Sequence, residues 1–422
     1  MITYQDALDT ILANAITPSV TELIPLNAAL GRIVAQQQVA AINVPGYDNS
    51  AMDGYAVRVA DITLDNEFIQ SQRIAAGDIA KPLQAGTVAR IFTGAMIPQG
   101  ADAVILQEDT RLQESTCSSS AQPAAPVRFT ELPKPNQHIR PAGQDISASA
   151  VIVEQGKRLT AGDIGLLASA GIAAVPCFRP LRVAFFSTGD ELKNPGEDLA
   201  LGQIYNSNRY FLSATLSELG AEPIDLGCCP DTPEATRALL QAASETADCI
   251  ITTGGMSVGE EDHVRAQVEA LGSILFWKIA IKPGKPVAFA TISASATATK
   301  AYDTLFFGLP GNPVSSFVTF HLFVRPWLLK SMGCNAWQAK TVTAIARFDC
   351  HNKGRRLDFL RGISSINAKG ELQVDLYSNQ SSGVLSSIAA SNVLVPVAPG
   401  QSLQSGDSCE VISLAAFDQL QL

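Results

Sequence analysis

Between residues 180 and 330 the chain alternates short apolar runs with helical stretches, and this pattern restricts its fold more than any other feature. Residues 181–186, reading LRVAFF, form a continuous apolar strand. Residues 208–219 carry helical spacing and stop at Gly220. A short strand over 222–226 precedes a helix over 232–247. Thr232 suits its N-cap and Pro233 its first position, where a missing N–H costs nothing. Residues 249–253 and 304–307 read as buried strands, and a helix begins near Val314. Strands apolar on both faces and separated by helices predict a parallel sheet covered on both sides. Right-handed crossovers then gather the strand-end loops at one edge, where such sheets bind ligands.

The flanks differ in texture. Residues 4 to about 38 read as helical, with a second helical or extended stretch over 28–35. A helical pattern returns over 159–174, with Thr160 as N-cap and Gly171 as stop. Between them, short β-like runs at 55–59, 88–92 and 103–106 alternate with Gly and Pro turns. Residues 110–137, rich in Ser, Gln, Pro and Thr, read as a mobile insertion. Beyond 332, short strands at 341–346, 372–376, 392–397 and 408–412 suggest a small β-barrel or sandwich. The expected architecture is a multidomain α/β protein. A discontinuous helical linker domain (1–40 and 150–178) carries an inserted β-rich domain (41–149). A three-layer α/β domain (179–331) and a C-terminal β domain (332–422) follow.

Charge narrows the function. Thirty Lys and Arg against forty Asp and Glu give a net −10, so the global field opposes nucleic acid and anionic membrane. Any anion must be held by a local cationic cluster. The N-terminus lacks a signal-peptide pattern and no apolar run reaches about 18 residues, so a cytoplasmic protein is expected. The eight cysteines form no CxxC, and reduced, mostly buried thiols are expected. His138, His263, His321 and His351 share no metal-ligand spacing.

Each strand of the α/β region runs into a loop rich in Gly and polar groups: 187–192, 227–231, 253–262 and 308–315. Thr253-Gly254-Gly255 with Ser257 has the makings of a phosphate cradle, since glycine lets backbone N–H groups approach an anion. A plain tight turn is the alternative. Pro310 and Pro313 lead into a helix start at Ser315, where N–H donors and the helix dipole favour an oxyanion. Lys278, Lys282 and Lys285, the last followed by Pro286, supply local positive charge, unless the run is only a solvated turn. The carboxylates Glu191, Asp231 and Asp262 sit on the same loops, and acids beside phosphate cradles commonly hold Mg²⁺.

These residues fall in motifs that resemble the MoeA family, the molybdopterin molybdenumtransferases, and the similar gephyrin-type E domains. The matching segments are DNSAMDGYAVR at 48–58, RIFTGAMIP at 90–98, STGDEL at 187–192 and TTGGMSVGEEDHV at 252–264. WKIAIKPGKPVAF at 277–289, FGLPGNPVSS at 307–316 and RLDFLRG at 356–362 complete the series. They run in family order over nearly the whole chain. Gln144, Met256, the Cys228-Cys229 pair and the 110–137 insertion depart from the family pattern.

The resemblance implies a MogA-like α/β domain. It also implies insertion of molybdate into adenylylated molybdopterin with release of AMP, aided by Mg²⁺. It further implies a homodimer whose cleft lies between the α/β domain of one subunit and the inserted or C-terminal domain of the other, working with molybdopterin-pathway proteins. Carried over by motif, Asp53 and Thr93 line the cleft from the partner, with Asp145 beside them as a metal candidate. Glu191, Asp231 and Asp262 are the α/β-domain acids, and Lys278 joins them in catalysis. Ser257, Lys282, Lys285, Pro286, Pro310, Pro313 and Ser315 bind substrate. Arg361 and Ser382 contribute from the C-terminal domain. Three other readings stay open: an adenylyltransferase acting on molybdopterin, a non-catalytic anchoring protein, and a paralogue loading tungstate.

Overall fold

The computed structural model describes residues 1–16, 19–112, 126–256, 263–293 and 302–415. Helix α1 (Tyr4–Ala13) opens on Thr3, whose side chain accepts from the Asp6 N–H. Residues 21–38, expected to be helical with 28–35 helical or extended, instead begin with β1 (Thr21–Pro25) and a 3-10 turn (Leu26–Ala28) and continue as turns and short extended pieces. Gly31 turns at φ +76°, and Ile33 and Val34 bridge to Arg158 and Cys177. Apolar spacing there fitted either state. The positive-φ glycine and the β-branched pair decide for extended backbone.

The inserted domain holds a four-stranded sheet: β2 (Gly54–Val57), β3 (Ile69–Ile74), β4 (Thr87–Ile91) and β5 (Ala103–Leu106), in the order β3-β4-β2-β5. Gly54 is required where it stands, because a Cβ there would meet the Ile105 carbonyl oxygen at 1.9 Å. The ends of the 110–137 segment are folded. Strand β6 (Thr110–Leu112) pairs antiparallel with β7 (Val127–Phe129), and Val127 and Phe129 are buried against Tyr55 and Phe68. Residues 113–125, the centre of the expected mobile insertion, lie outside the described residues. The chain enters and leaves this domain side by side, with the Ser149 N–H on the Ala40 carbonyl and the Ala40 N–H on the Ala150 carbonyl. Helix α2 (Ala161–Ser169) then starts on a capping box formed by Thr160 and Asp163. Strand β8 (Ala174–Phe178) pairs antiparallel with β1.

The α/β domain carries β9 (Arg182–Thr188), α3 (Ser207–Leu219), β10 (Glu222–Cys229), α4 (Pro233–Thr246), β11 (Cys249–Thr253) and α5 (His263–Leu271). It continues with β12 (Gly272–Phe276), β13 (Ile281–Lys282), β14 (Ala288–Ile292), β15 (Thr304–Leu309), α6 (Pro313–Thr319) and α7 (Arg325–Ser331). Sheet order is β10-β9-β11-β15-β14-β12. The first four strands are parallel; β14 and β12, which the sequence pattern did not reveal, add antiparallel at one edge. Side chains alternate between two cores, as a period of two demands. Val183, Phe185, Ile251 and Phe307 face α3, α6 and α7, while Ala184, Phe186, Ile250 and Phe306 face α4 and α5. Each fully buried phenylalanine or isoleucine is worth about 1.5–3 kcal/mol. Between α6 and α7 a five-residue π-turn (residues 320–324) places His321 among Phe211, Phe317 and Phe320, and burial pushes its pKa down to about 4.

The C-terminal domain has β16 (Thr341–Ala346), β17 (Leu357–Ile366), β18 (Leu372–Leu376), α8 (Ser386–Ala390), β19 (Val393–Val397) and β20 (Ser408–Ser413). The order β17-β18-β16-β20-β19 closes on itself through β19–β17 pairing, a five-stranded barrel. Strand β13 leaves the α/β domain to pair in parallel with β17, so Lys282 lies beside Asp358. Tyr4 of α1 packs its ring against Phe323 and Phe359, 5.6 and 5.3 Å away, stitching the two domains together. The seven described cysteines form no disulfide, and all but Cys228 and Cys350 are buried. No described helix is long and apolar enough to cross a membrane.

Candidate active site

The strand ends of the α/β sheet converge as their glycines allow. Gly254, at φ +94°, approaches so closely that a Cβ would stand 2.7 Å from the Thr188 carbonyl oxygen. Gly255, at φ +62°, leaves no room for a Cβ against Val264. Thr253 is buried and its hydroxyl lies 3.0 Å from that of Ser187, so it ties two strand ends together. The Gly254 N–H donates to Leu309, and Asn208 donates to the Gly311 carbonyl. Glu191 is exposed and its carboxylate folds over Gly189, where a Cβ would meet it at 2.5 Å. Asp231 is half-buried, next to the Thr232 N-cap of α4. Strands β9 and β10 pair with Thr188 opposite Cys229, which puts Glu191 and Asp231 on neighbouring loops. Ser257 and Asp262 lie outside the described residues.

The loop 308–315 leads from this edge to a second feature, a cleft of about 340 Å³ between the α/β domain and the barrel. Six residues expected on sequence grounds line it: Lys282, Lys285, Pro286, Ser315, Arg361 and Ser382. Pro310 is buried and Pro313 occupies the first turn of α6, as expected. The Val314 N–H donates to the Ser382 carbonyl, so the α6 start joins the cleft wall. Lys285 is exposed and makes no ion pair among the described residues. Lys282, by contrast, is paired with Asp358 at 3.1 Å.

Arg361 is only 1% exposed. Its guanidinium donates to Ser387 Oγ and to the Asn379 and Ser381 carbonyls. It therefore supports the loop that carries Ser382, and burial holds its pKa below the usual arginine value. Lys278 stands apart from the cleft: it is half-buried after buried Trp277, and its carbonyl accepts from the Ile2 N–H. Sequence reasoning missed Asp358, Arg356 and Gln380, which also line the cleft. The RLDFLRG segment holds the first two, but nothing local marks which of its side chains turn inward.

Asp53 and Thr93 are brought together in the inserted domain. The Thr93 N–H and hydroxyl donate to Asp53 Oδ1 at 2.8 and 2.9 Å. These two bonds, helped by the charge of Arg90, hold the Asp53 carboxyl below the usual carboxylate range. It thus stays ionised at neutral pH, and the link is lost only as pH falls through that lowered value. Asp145 is exposed on a turn anchored by backbone bonds to Val44. Among the described residues no hydrogen bond or ion pair joins these three to the α/β domain or the barrel.

For a divalent cation, Glu191 and Asp231 are of the right kind: Mg²⁺ takes one or two carboxylates, keeps waters and bridges to phosphate. No group of three ligating side chains converges among the described residues, and Asp145 is not brought to the pair.

Known proteins share this arrangement. Residues 2–171 match the MoeA N-terminal region (domains I and II), 184–330 a probable molybdopterin-binding domain, and 343–414 the MoeA C-terminal region (domain IV). The chain is 40% identical over 422 residues to the molybdopterin molybdenumtransferase of Haemophilus influenzae, covering all of both chains. It is 34% identical over 404 residues to that of a Nostoc species, covering 93% of this chain and 89% of the relative. A crystal structure of the molybdopterin biosynthesis MoeA protein of Pyrococcus horikoshii superposes with a TM-score of 0.79 at 29% identity, over 98% of this chain and 99% of that one. With all three family regions in order and full-length identity to a curated member, the chain belongs to the MoeA family of molybdopterin molybdenumtransferases.

Proposed function

We propose that this protein inserts molybdate into adenylylated molybdopterin and releases AMP, completing the molybdenum cofactor. The observation that carries this reading is the loop 308–315, which joins a glycine-lined sheet edge to a cationic cleft with room for an oxyanion and part of a larger substrate. A nucleotide diphosphate and a tetrahedral dianion then lie side by side, as the transfer requires. Lys285, Lys282 and the Ser315 hydroxyl hold molybdate near the dithiolene. Gly254 and Gly255 admit the diphosphate close to the backbone, and Ser257 adds a hydroxyl. Glu191, Asp231 and Asp262 would hold Mg²⁺, which offsets charge on the diphosphate as AMP departs. Fixed charge of this kind is usually the largest catalytic contribution.

The protein acts as a homodimer in this reading. Asp53 and Thr93, which have no polar link to their own α/β domain among the described residues, face the partner's cleft, with Asp145 beside them. Asp53→Ala should lower AMP release by about 10²-fold with an unchanged melting temperature, since the carboxylate is exposed. Mixing Asp53→Ala and Lys285→Ala subunits should restore activity, because one cleft of each mixed dimer keeps both groups. Absence of recovery in verified mixed dimers would place Asp53 and Lys285 in the same subunit's site.

The reaction itself is tested by incubating the protein with adenylylated molybdopterin and Mg²⁺, with and without molybdate. AMP should appear with molybdate and not without it. Consumption of ATP with unmodified molybdopterin would instead favour the adenylyltransferase reading.

A further inference from the structure

Among the cations of the cleft stands one carboxylate. Asp358 lines the cavity with Lys282, Lys285, Arg356 and Arg361, and its side chain is only 12% exposed. Its position is written into the fold. Strands β13 and β17 run parallel with Lys282 opposite Asp358, so the two side chains share a face and pair at 3.1 Å. Both arginines are also engaged. Arg356 donates to the Ile281 carbonyl, and Arg361 to Ser387, Asn379 and Ser381. A site built for the tightest oxyanion binding would hold donors and cations with no fixed negative charge. This one spends a lysine on a half-hidden carboxylate.

We propose that Asp358 is a positioning residue that holds Lys282 and keeps the cleft's affinity for free oxyanions low. An entering dianion must share Lys282 with Asp358 and approach a fixed negative charge at short range, where Coulomb repulsion is strongest. Abundant tetrahedral dianions such as sulfate and hydrogenphosphate, similar in shape and charge to molybdate, then fail to saturate the cleft. The oxyanion is retained only when the second substrate adds its own contacts. Weak ground-state binding also suits a site that must pass its oxyanion on, because energy spent holding it adds to the barrier of transfer. This inference rests on the cleft being the oxyanion site.

The test is equilibrium binding of molybdate, and separately of sulfate, to the full chain without cofactor. Wild type is compared with Asp358→Asn, Lys282→Ala, Lys285→Ala and the Lys282→Ala/Asp358→Asn double variant, each checked for an unchanged unfolding transition. Asp358→Asn should tighten both anions by about tenfold or more. It should lower the KM for molybdate together with kcat. The double variant should return toward wild type. Damage to the fold cannot imitate this, since a disordered cleft binds more weakly.

Unchanged or weaker binding in Asp358→Asn, with Lys285→Ala clearly weakened, would overturn the role of Asp358 and leave the cleft as the oxyanion site. Measurable binding that appears only in Asp358→Asn would support the proposal strongly. If neither wild type nor Asp358→Asn binds either anion, both the proposal and the assignment of the cleft fall.

Discussion

Lys282→Ala should weaken molybdate binding by roughly a hundredfold while leaving binding of the adenylylated pterin nearly intact. Two losses add. The variant removes one of the cleft's cations, and it uncovers Asp358, which Lys282 now neutralises at 3.1 Å. A carboxylate 12% exposed and stripped of its partner repels any dianion that enters. The fold should change little, because the Lys282 side chain is 58% exposed and an ion pair with so open a partner contributes little to stability. Calorimetric titration with molybdate and with the adenylylated substrate separates the two affinities. Equal losses in both would contradict a molybdate clamp at this position.

Arg361→Ala should have the largest effect on stability, about 2–4 kcal/mol. The guanidinium is buried and donates to Ser387 Oγ and to the Asn379 and Ser381 carbonyls, while the backbone N–H of Arg361, which the variant keeps, donates to Gln380 Oε1. Removing the side chain strands those acceptors and frees the loop that carries Ser381 and Ser382 into the cleft. Arg361→Lys should not rescue it, since one ammonium cannot span three acceptors set out for a planar fork. Urea unfolding reads the stability, and the KM for molybdate reads the cleft wall. A variant that unfolds like wild type and keeps its KM would show that the loop stands without Arg361.

The α/β core was legible because it is buried on both faces. Residues 183–186 and 249–251 are apolar without interruption, and Thr232, Pro233 and Gly220 punctuate helices through their own backbone chemistry. The site loops were legible for the same reason: Gly254 and Gly255 stand where no side chain fits. Long-range pairing was not legible. Strands β12 and β14 are short and lie among Gly and Pro turns, and β13 is two residues long. That short strand carries Lys282 to a partner 76 residues further along the chain. Sequence motifs therefore marked Lys282 and Arg361 as cleft residues. They did not reveal that the first is paired with a carboxylate and that the second supports a loop. Residues 28–35 left helix and extended backbone open for a local reason, since Ala-Ala-Leu favours a helix that Gly31 at φ +76° does not continue.

The measurement that bears most directly on the central claim is the stoichiometry of AMP released to molybdenum bound by the pterin, followed in one reaction with Mg²⁺. The account predicts equal amounts of both, strict dependence on molybdate, and loss of both in a folded Asp262→Ala variant. AMP release that proceeds without molybdate, or a folded Asp262→Ala variant with near-normal turnover, would contradict it.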